Sequence, residues 1–192
     1  MKPWDQRLAA LVVRPFANSF VTPNMMTGIG LVLGLGAALL FSLGEWSWAG
    51  VLFVLSVFWD HTDGELARLK GQTSRFGHYF DHTVAFLNYA CAFFGMGIGL
   101  AAYGSEVMGI AGGIAGVSVA AIFAVRNYGE WKIGRSFMDQ PSAFGFEIED
   151  FMYLIGPIAW LGWVKGLVIA AVVGAPLYLF WTVAALVRDK RA

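Results

Sequence analysis

WSWAGVLFVLSVFWDHTDGELAR, residues 46–68, is the stretch that decides the fold. Its uncharged part ends at Trp59, and Asp60 and Asp63 follow at once. A helix that crosses a bilayer needs about 20 residues. A crossing that begins at Trp46 therefore extends to about Glu65 and carries both carboxylates inside or at the edge of the hydrocarbon layer. An Asp at mid-membrane costs about 2.5–3.5 kcal/mol, so its presence there calls for a chemical reason.

The rest of the chain supports reading this stretch as a membrane helix. Of 192 residues, 58% are hydrophobic and 14% charged, against roughly 45–50% apolar in a soluble domain, and the mean hydropathy is +0.63. These figures exclude disorder and an ordinary cytosolic domain. Thirteen Lys and Arg balance thirteen Asp and Glu, so no basic field attracts nucleic acid. The single Cys91 allows neither a disulfide framework nor a thiolate metal cluster.

Apolar runs predict an all-α integral membrane protein with six spans, at 24–44, 46–68, 77–103, 107–128, 147–164 and 166–187. The run Leu8–Val13, between Arg7 and Arg14, is too short for a secretory signal peptide. Trp4, Leu8, Leu11, Val12 and Phe16 instead predict an interfacial amphipathic helix within residues 1–20, ahead of one helical domain over 21–192. Basic residues set the orientation. Lys2, Arg7, Arg14, Arg68, Lys70, Arg75, Arg126, Lys132, Arg135, Arg188, Lys190 and Arg191 fall on one side, and only Lys165 on the other. The first side, with both termini, is expected to face the cytoplasm, across the inner or plasma membrane if the cell is bacterial. Trp46, Trp48, Trp160 and Trp163 then mark the outer boundary. The 24 glycines, with spacings such as Gly30–Gly34 and Gly109–Gly112, are expected to serve close helix packing.

Asp60 and Asp63, three residues apart, share one helix face. Asp81 comes from the next antiparallel helix, after a short turn over residues 71–76. Three carboxylates at one depth repel unless a cation or shared protons neutralise them. Hard oxygen donors suit Mg²⁺ or Mn²⁺. Gly64, Ala67 and Gly77 leave room above the cluster, and Arg68 adds a charge suited to phosphate.

Asp60, Asp63, Gly64, Ala67, Arg68, Gly77 and Asp81 match, with the same spacing, seven of the eight fixed positions of D-x2-D-G-x2-A-R-x8-G-x3-D-x3-D. In this the chain resembles the CDP-alcohol phosphotransferase family. The stretch Thr22-Pro23-Asn24-Met25-Met26-Thr27 is similar to the Pro-Asn-x-x-Thr that often opens the family's first helix. The resemblance implies a six-helix membrane enzyme with a cytoplasmic active site: a CDP-alcohol gives its phosphoalcohol group to an acceptor alcohol and CMP leaves, in phospholipid or related lipid synthesis. It implies two divalent cations on Asp60, Asp63 and Asp81, and CDP binding by Gly64, Ala67, Arg68, Gly77, Asn24 and Thr27. A homodimer is expected on the same ground alone.

The eighth position is Ala85 where the family carries an aspartate, usually assigned as metal ligand and base for the attacking hydroxyl. Three readings fit: an engineered substitution in an otherwise normal enzyme, a natural member with another base, and a natural pseudoenzyme. The intact surroundings favour the first, and the chain as it stands is expected to be inactive or impaired. His82 is the nearest alternative base, although it points about 100° around the helix from Asp81. His61 and His78 are expected to be interface residues without a role.

For the acceptor, Arg126, Lys132 and Arg135 suit a phosphate, as of glycerol phosphate or inositol phosphate, and equally suit positive-inside residues. Glu147, Glu149 and Asp150 precede a short uncharged run and could hold a cation or hydroxyls; they also fit a helix N-terminus. Three competing readings are a nucleotide or lipid binder without catalysis, a Mg²⁺-dependent prenyltransferase, and an ion-coupled transporter. The prenyltransferase lacks its longer-spaced aspartate motifs here, and the transporter its inverted repeat.

Overall fold

The computed structural model describes residues 4–133 and 148–189, which form helices and turns without a strand. The helices are α1 (Trp4–Val13), α2 (Pro23–Ser42), α3 (Trp46–Lys70), α4 (Arg75–Ala102), α5 (Glu106–Ile133), α6 (Ile155–Trp160) and α7 (Val164–Asp189). By length and composition, α2, α4, α5 and residues Val164–Arg188 of α7 can each cross a membrane. The 25-residue α3 is about 37 Å long at 1.5 Å per residue. Its last three turns carry Asp60, Asp63, Glu65, Arg68 and Lys70, so it lacks the long apolar stretch that the other four possess.

The fifth predicted span departs from expectation. Residues Ile148–Leu154 form a 3₁₀ segment, and α6 adds only six residues before Leu161. Pro157 accounts for this locally, since it has no N–H to give the carbonyl four residues back, and its ring crowds that carbonyl. The short helix docks on α3: Trp160 Nε1 donates to Ser47 O at 3.0 Å, and a Cβ on Gly156 would collide with Val54.

The apolar residues of the N-terminal helix divide between two faces. Ala9 and Val13 are buried and α1 packs on α3, whereas Leu8, Leu11 and Val12 stay exposed. Phe16 leaves the exposed group and packs beside Val13, Met26 and Leu66.

Glycines of α4 set the centre of the bundle. A Cβ on Gly95 would collide with the carbonyl oxygen of Ala38, and one on Gly99 with that of Phe41. These two positions, four apart, seat the backbone of α2. Gly97 lies between them on the other side, where a Cβ would come 2.9 Å from Gly112 Cα of α5. Helix α4 is thus clamped between α2 and α5, and Phe41, Phe53 and Met96 are fully buried around it. Lipid offers no hydrophobic drive between helices, so such close backbone approach carries much of the association. The expectation for Gly34 and Gly112 is met: Asn88 of α4 lies over Gly34 and donates to Gly30 O at 3.0 Å.

Gly95→Ala is expected to destabilise the protein by roughly 1–3 kcal/mol through overpacking, seen as a lower thermal unfolding midpoint in detergent. Gly113→Ala, whose new Cβ meets nothing closer than 3.9 Å, should leave the midpoint nearly unchanged.

Candidate active site

Three helix ends are brought together by local capping. At the end of α3, Gly71 adopts φ 64°, a left-handed conformation that glycine enters without a side-chain penalty. Gln72 N then bonds back to Ala67 O at 2.9 Å. Ser74 caps α4 by accepting from Gly77 N at 3.0 Å, and Thr22 caps α2 by accepting from Met25 N at 3.3 Å. Lys70 Nζ reaches the chain ahead of α2, donating to Ser19 O at 2.7 Å and Val21 O at 2.6 Å. These bonds hold the N-termini of α2 and α4 against the last turns of α3.

Between them lies a cavity of about 240 Å³. Eight residues singled out from sequence line it: Asn24 and Thr27 from α2, Asp63, Gly64, Ala67 and Arg68 from α3, Gly77 and Asp81 from α4. Asp63 is 3% exposed and Thr27 4%, and the Thr27 hydroxyl donates to Asp63 Oδ2. Asp81 is half-buried on the facing helix. Arg68 is paired with the buried Glu65 at 2.8 Å, which lays its guanidinium beside Gly64, where a Cβ would stand 3.4 Å from Nη1. A Cβ on Gly77 would stand 3.1 Å from Ser74 Oγ and 3.4 Å from Asn24 Oδ1. Side chains at these two glycines would fill the space that the cavity now has.

The electrostatics are two-sided. Two carboxylates occupy the cavity, whereas its rim carries Arg68 and two helix N-termini, whose dipoles favour anions. The donor set of Asp63 and Asp81 fits a hard divalent cation, and the rim fits a phosphate bound to it.

Other predicted residues lie elsewhere. Asp60 is half-buried one turn before Asp63 and does not line the cavity. Ala85 is buried in the main apolar core with Val57 and Tyr89. His82 turns to α5, where its Nδ1 meets Asn127 Oδ1 at 2.9 Å. Arg126 lies 5.9 Å from the Phe123 ring and Lys132 5.8 Å from the Tyr128 ring; neither lines the cavity. Arg135 and Glu147 fall outside the described residues, as do the side chains of Glu149 and Asp150. His61 stacks on Tyr153, ring centroids 6.5 Å apart.

Sequence reading missed Pro23, Gln72, Thr73, Ser74 and His78 as lining residues. Ser74 had a readable signal, an N-cap three residues before Gly77. His78 had none, because its place depends on how α4 is rotated against its neighbours.

Comparison with known proteins bears on this geometry. The family model for CDP-alcohol phosphatidyltransferase matches residues 20–188. An archaetidylinositol phosphate synthase of Pyrococcus horikoshii is 36% identical over 86 residues, 45% of this chain and 46% of that protein. A phosphatidylinositol phosphate synthase of Cutibacterium acnes is 33% identical over 104 residues, 52% of this chain and 50% of that protein. The chain thus spans about half the length of the curated relatives it matches. A crystal structure of Mycobacterium tuberculosis phosphatidylinositol phosphate synthase with CDP-DAG bound has the same fold, with TM-score 0.73, 21% identity and 94% of both chains covered. A structure of that synthase with manganese and citrate gives TM-score 0.65 and 23% identity, covering 91% of this chain and 89% of that one. With the aspartate motif on α3 and α4 and the family model matched from residue 20 to 188, this integral membrane protein belongs to the CDP-alcohol phosphatidyltransferase family.

Proposed function

We propose that the chain binds a CDP-linked lipid alcohol at the α3–α4 cavity, as the donor for transfer of its phosphoalcohol group to a second alcohol with release of CMP. The observation that carries this is the pairing of Asp63 and Asp81, from two helices, in one cavity whose rim holds Arg68 and two helix N-termini. The relatives named as inositol phosphate lipid synthases support a phosphorylated polyol as acceptor.

In this reading Asp63 and Asp81, with Asp60 one turn away, hold Mg²⁺ or Mn²⁺. Bound there, the cations neutralise the diphosphate and stabilise charge on the leaving oxygen. Thr27 fixes the orientation of the Asp63 carboxylate. Arg68, steadied by Glu65, takes the phosphate oxygens, favoured by the positive dipole ends of α2 and α4. Gly64, Ala67 and Gly77 leave room for the cytidine, with Asn24 at its edge. We place six crossings in the membrane, the N-terminal helix at its surface, and both termini and the cavity on the basic, cytoplasmic side.

Proton removal from the acceptor is the weak point. Ala85 has no carboxylate, and the His82 Nδ1 is occupied by Asn127. We therefore propose tight donor binding with slow transfer. A second reading, a binder without catalysis, is favoured by the burial of Ala85 in apolar core.

Two measurements test this. Asp63→Asn should abolish Mg²⁺-dependent binding of labelled CDP-diacylglycerol, and Thr27→Val should weaken it about tenfold, the usual cost of losing a group that orients a metal ligand. Donor binding that is equal in Mg²⁺ and EDTA would rule the cation site out. Ala85→Asp should raise CMP release about 10²–10⁴-fold with inositol phosphate as acceptor, the range that a positioned base contributes. No gain, with donor binding intact, would favour the non-catalytic binder.

A further inference from the structure

At the edge of the cavity, the structure brings together three groups that phosphate binding does not use. His78 and His82 stand one turn apart on α4 with ring centroids 4.2 Å apart. Glu130 of α5 places its Oε1 3.2 Å from His78 Nε2. One ligand atom from each of the three lies within 4.8 Å of the others. We propose that His78, His82 and Glu130 form a second cation site, selective for Zn²⁺ or a similar transition metal and distinct from the aspartates.

The donor chemistry argues for this selectivity. Two imidazoles and one carboxylate suit zinc, with bonds of about 2.0–2.2 Å, whereas Mg²⁺ prefers oxygen alone. A neighbour also prepares one ligand. Asn127 Oδ1 only accepts, so the 2.9 Å bond to His82 Nδ1 puts the ring proton on that nitrogen and leaves the Nε2 lone pair for a metal. Asn127 and Glu130, three apart, share the face of α5 that meets α4. Between His78 and Glu130 the metal would replace the proton of the present hydrogen bond. Tetrahedral coordination needs ligand atoms roughly 3.3 Å apart for bonds of this length, so a pair as wide as 4.8 Å must close by about 1.5 Å. His78 is exposed and can supply that movement. Three protein ligands leave a fourth position for water or a phosphate oxygen, and His78 itself lines the cavity. The site stands whether or not the aspartates act as proposed above.

The test uses the full chain in detergent, stripped with EDTA and titrated with Co²⁺ and then Zn²⁺. One equivalent of Co²⁺ should give the intense visible absorption of four-coordinate geometry, displaced by Zn²⁺. His78→Asn and Glu130→Gln, on different helices, should each weaken Zn²⁺ binding at least about tenfold, while Asp63→Asn leaves it within twofold. Circular dichroism and a single gel-filtration peak confirm that each variant is folded; if one is not, the other decides. Absence of the band, its persistence in a folded His78→Asn or Glu130→Gln variant, or its loss in Asp63→Asn would overturn the proposal.

Discussion

The buried bond from Thr27 to Asp63 is the interaction on which the rest turns. It joins α2 to α3 at the point where α3 carries a carboxylate that is 3% exposed. The Thr27 hydroxyl and the Gly64 backbone N–H offset only part of the cost of burying a charge. The remaining demand is for positive charge, and the surroundings are arranged to provide it: two helix N-termini and Arg68 stand at the rim. The same arrangement that makes Asp63 tolerable in the fold underlies the proposal that its cavity takes a cation carrying phosphates.

Packing makes that arrangement possible. Gly95 and Gly99 let α4 lie against the carbonyls of α2, and Gly97 lets α5 approach from the opposite side. Bulkier residues there would push α4 outward and separate Asp81 from Asp63. The Gly71 turn and the Lys70 bonds to Ser19 and Val21 then fix how the ends of the helices meet. Chemistry at the rim thus depends on small residues well inside the bundle.

In the proposed reading, Ala85 at the motif's eighth position, in place of an aspartate, divides donor binding from transfer. Nothing in the cavity lining is lost with that carboxylate, since Ala85 belongs to the apolar core, so the groups suited to a diphosphate remain. In that reading the transfer step lacks the carboxylate that would take the acceptor's proton. The histidines nearest to the position are turned toward α5, where they meet Asn127 and Glu130. Imidazoles gathered around a carboxylate suit a softer metal than the aspartates do.

Much was legible in the sequence because it depends on local chain order. Hydrophobic run lengths located α2, α4, α5 and α7 to within a few residues, the spacing from Asp60 to Asp81 picked out six of the residues that line the cavity, and the stretch opening α2 added Asn24 and Thr27. Periodicity and capping act over a few residues, so they leave a trace in the string. Tertiary structure alone decided that Asp60 lies off the cavity, that Phe16 turns inward, that the fifth stretch is a 3₁₀ segment and a short helix, and that His78 and His82 face Glu130. Those outcomes depend on the rotation of each helix about its axis and on which neighbour it meets. Rotation is set by the fit of whole surfaces, glycine against carbonyl and side chain into groove, and no short stretch of sequence carries that information.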